Sequence, residues 1–551
     1  MPDPDLVLMN VDSAPVDASI RAIGVTSGRI SHLWDDNREA SGRILWDCAG
    51  ATVLPGIDDS HLHGYEYGRA LSAVDVSTSA APDLAAVQRI LRDAEPDSHG
   101  WIRGIGWDST VLRGSGPGGA LTAADLDVAA PHHPVLLTDM TGHQAWVNSE
   151  ALRRAGLDGA EIANPDGGSF LRGADGRLSG VMHESAVSRI NDVIPQPTRA
   201  DKRAALLATQ ADLLSQGVVA YTDPGLGPGA ATLMEGSGDF EAVAAYQDLD
   251  AGGELHLRVN LMLLFGGLGG TSASEVALGL EAWGQPHPMA AHGHLGISQV
   301  KVFADGIPRS RTAWMSEPYD DCTCGHLQIA GDSDEERVAE LGRIIEAADS
   351  RGWQIGLHTI GDRAITTVVD AMEGLPGTAP ERRHYVIHGD FVVDHDLDRM
   401  SRLGMTLNAN PSIRWAVGRS VEPVIGAERN SRRQRLRDAW DTGVNVCLSS
   451  DAPVAPPDWR VMVAAAMTRS WQADPTHTDA QRLNASEAIA ALTRNAAWQS
   501  HAESWRGDLR EGMAADLVIM DRAVDWSDPW SLTGAQVQAT MIAGALVHGS
   551  L

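Results

Sequence analysis

The sequence is short of several things, and each shortage excludes something. It holds four cysteines in 551 residues, Cys48, Cys322, Cys324 and Cys447. That is too few and too scattered for a disulfide framework, so a reducing, cytoplasmic setting is expected. No run of about 18 apolar residues occurs, so no helix is expected to span a membrane. The opening stretch MPDPDLVLMNVDSAP has neither the basic start nor the apolar core of a secretory signal. Basic residues are outnumbered, with 43 Lys and Arg against 73 Asp and Glu and a formal net charge of −30. A surface of that sign repels phosphate backbones and anionic lipid, so neither nucleic acid nor a membrane is expected as a partner. The acidity is read as an aid to solubility.

What remains is ample for a large core, with 43% hydrophobic residues. Residues 5–54 read as short strands with Gly-rich turns, and so do GDLREGMAADLVIMD and VQATMIAGALVHGSL near the carboxyl terminus. The expected organisation pairs the two ends, 1–54 and 506–551, into one small β-domain. Between them, short apolar runs alternate with amphipathic helical patterns such as RADKRAALLATQADLLSQ and SDEERVAELGRIIEAADSRG. Seven such runs lie at 217–225, 255–267, 295–306, 353–362, 383–391, 404–412 and 443–453, and ATVLPGI before His61 makes an eighth. Eight strands alternating with helices predict an α/β fold, a (β/α)8 TIM barrel formed by 55–64 and 201–505. Residues 65–200 would be a large insertion after strand one. The alternative, a doubly wound open sheet, lacks a Gly-rich phosphate fingerprint after its first strand.

A buried parallel strand should be apolar throughout, yet several of these runs carry a side chain able to bind metal. PGIDDSHLHG places His61 and His63 one residue apart after the first run, on one side of an extended chain. Lys301 lies in QVKVFADG, His358 in IGLHTIGD, His388 in YVIHGD and Asp451 in CLSSDAP. His358 and His388 are 30 residues apart, one βα unit, and His388 and Asp451 are 63 apart, about two units. In a (β/α)8 barrel the carboxyl ends of the strands converge on one mouth. Any one of these residues alone is more often a hydrogen-bonded structural group. The joint occurrence points to a metal site.

The pattern resembles the amidohydrolase superfamily of metal-dependent hydrolases. More narrowly it resembles amidohydrolase family three, the branch that contains N-substituted formamide deformylase. PGIDDSHLHG, GWIRGIGWDST, TGHQAWVNSEAL, VKVFADGIPRSRTA, LHTIGDRAI, SSDAPV and GDLREGMAADLVIMD are similar to that family's blocks, in its order, across nearly the whole chain. The resemblance implies a barrel with a β-sandwich-like domain from both termini. It implies two divalent ions, with His61, His63 and Asp451 on one and His358 and His388 on the other. Zn²⁺ suits imidazole and carboxylate ligands, other divalent ions remaining open. It further implies a carboxylated Lys301 as an anionic bridge, because a free lysine is cationic. The alternative is an unmodified Lys301 and a single ion.

Hydroxide held between the two ions would attack an amide-type carbonyl of a small-molecule substrate. Asp451 would move the proton, first as general base and then as general acid. His143 resembles the family histidine that bonds the scissile carbonyl, and Trp107 is a candidate for the pocket wall or for core packing. Arg309 and Arg311 are read as partners of surface acids. Cys322, Cys324 and His326 are read as a loop with reduced thiols rather than a further metal site. Two departures from the family stand near the mouth: Ile387 where relatives carry glutamate, and Asn410-Pro411 where they carry Gln-Pro. The resemblance is compatible with a homodimer. Competing functions are hydrolysis of a cyclic amide, carbamate, ester or lactone at the same site, and a non-catalytic barrel scaffold.

Overall fold

The computed structural model describes residues 3–108, 111–139, 144–159, 162–165, 168–173, 175–232, 238–267, 270–320, 322–376 and 379–550. The chain forms two compact units, Met1–Tyr65 with Leu206–Leu551, and Glu66–Ala205.

The first unit is built on an eight-stranded parallel sheet. Its strands are β1 (Ile57–Asp59), β2 (Val218–Leu226), β3 (Arg258–Leu263), β4 (Leu295–Phe303), β5 (Gln354–Thr359), β6 (Tyr385–His388), β7 (Thr406–Ala409) and β8 (Asn445–Leu448). They pair in sequence order, and β1 and β8 are the two ends. Helices follow most of them, among them Phe240–Ala251, Ala273–Trp283, Asp334–Asp349 and Asp362–Glu373. Helix starts are written into the sequence. Asp239, Ser272 and Ser333 each accept a first-turn backbone N–H, which satisfies donors that have no partner inside the helix.

The sheet closes through contacts between its ends rather than a regular ladder. Ser60 Oγ donates to Leu448 O at 3.1 Å, and Asn408 Nδ2 donates to Ser60 O at 3.1 Å. The amide of Ser450 donates to the Asp59 carboxylate at 3.1 Å. Inside the barrel, Tyr385 and Ile387 pack with Met262, and Tyr385 Oη donates to Gln299 Oε1 at 2.9 Å. Polar atoms in this interior thus bond to one another, as burial demands.

Strands from both termini complete the unit. One sheet pairs Leu6–Met9, Ala22–Thr26, Arg29–Trp34 and Ile44–Asp47; another pairs Val53–Pro55 with Leu517–Met520, Val537–Ile542 and Ala545–Gly549. They share one core, in which Leu8, Ile23 and Val53 meet Leu517, Ile519 and Met541. A buried ion pair joins this region to the barrel. Arg258, at the start of β3, forks onto Asp516 at 2.7 and 2.8 Å.

The second unit has a six-stranded mixed sheet in the order Gly168–Arg172, Leu178–Glu184, Gln144–Val147, Val135–Asp139, Ile102–Trp107 and Val74–Asp75. Trp107 and Trp146 stack edge to face at 6.0 Å in its core.

Removing one member of a buried fork strands the other charge without a partner. The Asp516→Ala variant is therefore expected to lose about 3–5 kcal/mol of stability. Denaturant unfolding should show this, with much of the loss recovered when Arg258 is also replaced by Met.

Candidate active site

The six residues singled out from the sequence all belong to the first unit. The regular part of β1 stops at Asp59, two residues before His61, so the histidines lie just past the strand. Hydrogen bonds nevertheless keep the chain extended. Leu62 N donates to Thr222 O, Asp451 N to His61 O and His63 N to Ala452 O, each at 2.9 Å. Alternation survives: Leu62 is fully buried, and His61 and His63 both reach the same oxygen, Asp451 Oδ1, at 3.2 Å through Nε2.

Gly64 follows for a steric reason. A Cβ there would lie 2.5 Å from Tyr246 Oη and 2.6 Å from Tyr221 Oη. Those hydroxyls bond each other at 2.7 Å, and Tyr246 Oη donates to Asp223 Oδ2 at 2.6 Å. The same carboxylate accepts the amides of Gly64 at 3.0 Å and Tyr65 at 3.4 Å, which fixes the turn leaving the two histidines.

On β6 the inward positions are Tyr385 and Ile387, so regular alternation would turn His388 away from the interior. Its backbone is left-handed, with φ +71°, and Gly389 follows with φ +58°. The turn brings the His388 ring to 4.7 Å from the ring of His358 and 5.7 Å from that of His61. Asp451 also has a positive φ, +61°. Non-glycine residues seldom adopt this conformation, and two of the thirteen that do so among the described residues fall at the site. Ligand atoms of His61, His388 and Asp451 lie within 4.8 Å of one another.

Lys301 lies on β4 opposite Gly356 of β5, two residues before His358. It is 2% exposed, and its Nζ lies 4.9 Å from the Phe303 ring centroid. Burial pushes its pKa down to about 7, against the pull of Asp451. Near neutral pH a substantial fraction of the amine is therefore uncharged. Burial also lowers His61, His358 and His388, with the Lys301 charge adding to the effect in all three and His388 adding at His358. Burial alone would raise Asp451, but hydrogen bonds from His61 and His63 hold it well below the usual carboxylate range. The site thus presents neutral imidazoles around an ionised carboxylate.

This donor set fits a divalent cation. The Nε2 atoms of His61 and His63 face one ionised carboxylate oxygen, Asp451 Oδ1, at 3.2 Å; among the described residues His61 Nδ1 is buried without a hydrogen-bond partner, and His358 Nδ1 lies 3.8 Å from Asp305 Oδ1. His388 is oriented from behind: its Nδ1 meets Asn410 Oδ1 at 2.6 Å, while Asn410 Nδ2 donates to Ser449 O at 3.1 Å and Ser449 Oγ at 3.0 Å. With its amide NH2 engaged, Asn410 offers only its oxygen, so His388 carries its proton on Nδ1 and presents a lone pair at Nε2. Asn410 stood out in the sequence only as a departure from the family's pattern.

Two buried acids were missed. Asp305 accepts Trp314 N, Ile360 N and Gly361 N at 2.8–2.9 Å, tying the loop after β4 to the residues that follow His358. Asp59 accepts His61 N at 3.3 Å as well as Ser450 N. Burial pushes each to a pKa of about 7. Their signal was an acid beside a ligand motif, as in DDSHLH and VFADG.

The other residues singled out in the sequence have surroundings of their own where they are described. His143 lies outside the described residues. Trp107 is 1% exposed, and its Nε1 donates to Leu137 O at 2.9 Å, the packing role among the two considered for it. Arg311 pairs with Asp320 at 2.8 and 3.0 Å, both on the surface. All four cysteines are unpaired thiols. Ile387 is buried against Met262 and Tyr385.

Comparison with known proteins gives a consistent picture. The amidohydrolase family matches residues 45–548. The YtcJ protein of Bacillus subtilis (strain 168) is 27% identical over 91% of this chain and 89% of its own length. N-substituted formamide deformylase of Arthrobacter pascens is 26% identical over 99% of this chain and 98% of its own. Among solved structures, an uncharacterized metal-dependent hydrolase from Pyrococcus furiosus aligns with a TM-score of 0.71 and 25% identity, covering 94% of this chain and 99% of that one.

Replacing the group that orients a metal-binding imidazole typically weakens metal affinity about 10–100-fold. That loss is expected for Asn410→Ala, read by competitive chelator titration, with Asn410→Gln recovering part of it.

Proposed function

The chain belongs to the amidohydrolase family, and we propose that it works as a metal-dependent hydrolase cleaving an amide-type C–N bond of a small N-acyl or N-formyl amine. The observation that carries this reading is the meeting of His61, His63 and Asp451, with His388 and His358 adjoining, at the carboxyl ends of the barrel strands. Two of the supports come from relatives: the name of the Arthrobacter pascens deformylase and the metal-dependent hydrolase from Pyrococcus furiosus.

In this reading His61, His63 and Asp451 hold one divalent cation, zinc being the best match to the donors, and His358 and His388 hold a second. Bound there, the ions supply Lewis acidity and lower the pKa of water toward neutrality. The protein's own groups do the rest. Asp451 is anionic and touches both histidines that lead out of β1, so its carboxylate is placed to take the proton of the attacking water and deliver it to the leaving amine. Deep burial of the histidines keeps them neutral, so protons do not compete for their lone pairs. Asn410 holds the His388 tautomer. His143 is proposed to bond the substrate carbonyl.

Lys301 is proposed to carry a carboxyl group on Nζ. It lies on the strand between those of the two ligand groups, and a carbamate there would replace a cation beside the cation site with an anion. Carbon-13 NMR of protein equilibrated with labelled bicarbonate should show a carbamate resonance that is missing from Lys301→Ala; equal spectra would remove this part of the reading.

The functional test is a substrate panel on zinc-loaded protein: N-formyl and N-acyl amines, hydantoins, lactones and esters. Turnover is expected with the acyclic amides and is expected to stop on chelation and return with metal. Turnover confined to hydantoins or lactones would reassign the substrate class, and none with any metal would reject a catalytic role. Asp451→Asn should lower kcat by about 10²–10⁴-fold, and unchanged turnover would remove it from proton transfer.

A further inference from the structure

A cavity of about 540 Å³ lies at the opposite end of the barrel from the histidine cluster. Its walls include Met405, Val444 and Asn445, at the amino-terminal approaches to β7 and β8, and residues from 494 to 510. None of the proposed metal ligands lines it.

Two arginines give this cavity its character. Arg494 is exposed and has no hydrogen-bond or ion-pair partner among the described residues. Arg506 is 2% exposed; Nη1 bonds Asp58, Nη2 bonds Ser500 Oγ at 2.9 Å, and Nε is buried without a partner. Nε of Arg506 is closed off from solvent, so Arg494 is the guanidinium that is free to meet a ligand in the cavity. The other charges in the wall are already answered. Asp508 pairs with Arg510 at 2.9 Å, and Glu503 takes a fork from Arg383 at 2.7 and 2.9 Å. One guanidinium charge is left over, on a chain whose formal net charge is −30.

Flat apolar surface lies beside these donors. Trp440 and Trp498 are both half-buried in the lining, and the Arg383 guanidinium sits 4.3 Å from the centre of the Trp498 ring. The volume suits a small ligand. A ligand with two or more negative charges would meet one free cation and the carboxylates of Glu503 and Asp508. A singly charged one would match.

We propose that this cavity is a second binding site, for a small organic monoanion with a flat ring, of the aryl carboxylate class. The carboxylate is held by Arg494, and the ring lies against Trp440 and Trp498. The site is separate from the cation site and does not depend on the hydrolytic reading.

The test is isothermal titration of the full-length protein with benzoate and with phenyl phosphate, in zinc-loaded and chelator-treated forms. Saturable benzoate binding is expected in both forms. Arg494→Ala should weaken it about tenfold or more, the usual worth of a charge-assisted contact, while leaving hydrolytic turnover unchanged, and Arg494→Lys should recover part of it. No saturable binding, binding equal in Arg494→Ala, or binding that vanishes with the metal would overturn the proposal. Tighter binding of phenyl phosphate than of benzoate would overturn the assignment to a monoanion.

Discussion

Everything at the site depends on the two ends of the barrel sheet meeting at Asp451. This residue is 390 positions beyond His61 in the chain, yet its amide donates to the carbonyl of His61 and its carboxylate receives both His61 and His63. Closure and site are one structural event: the hydrogen bonds that join the extended residues after β1 to those after β8 also place three donor atoms together. Had the sheet stayed open, the same residues would stand at opposite edges. Burial then sets the charge states, with imidazoles neutral and the carboxylate ionised, the combination a divalent cation requires.

The surrounding groups hold this arrangement by binding backbone rather than ligand atoms. Asp223, Asp305 and Asp59 each collect amides from loops at the strand ends. β7 and the residue after it supply none of the six candidate metal ligands but two asparagines: Asn408 reaches across to Ser60 after β1, and Asn410 orients His388. These polar groups satisfy one another in the interior, which favours a single arrangement where the candidate metal ligands emerge. The left-handed turn at His388 belongs to the same design, since regular alternation after inward-facing Ile387 would turn the imidazole away from the interior.

Much of this was legible in the sequence. The barrel followed from apolar runs alternating with helical periods, and the candidate ligands from polar residues breaking those runs at matching positions. Such signals survive because a buried parallel strand tolerates a polar side chain only where something satisfies it. Other features were not legible. A carboxylate that caps backbone amides has no periodicity, so Asp59 and Asp305 looked like ordinary loop acids. Asn410 registered as a departure, although its spacing from His388 lets it act as that residue's acceptor. The reason for Gly64 lies in two tyrosines more than 150 residues away, and Trp107 offered pocket and core roles that hydropathy alone could not separate.

The proposed function rests on six side chains from five strands holding two cations at one end of the barrel. Anomalous diffraction at the zinc absorption edge, from crystals of the zinc-loaded protein, tests it most directly. Two peaks are expected, one among His61, His63 and Asp451 and one beside His358 and His388, with Lys301 between them. Peaks elsewhere, or none at these residues with zinc in excess, would contradict it.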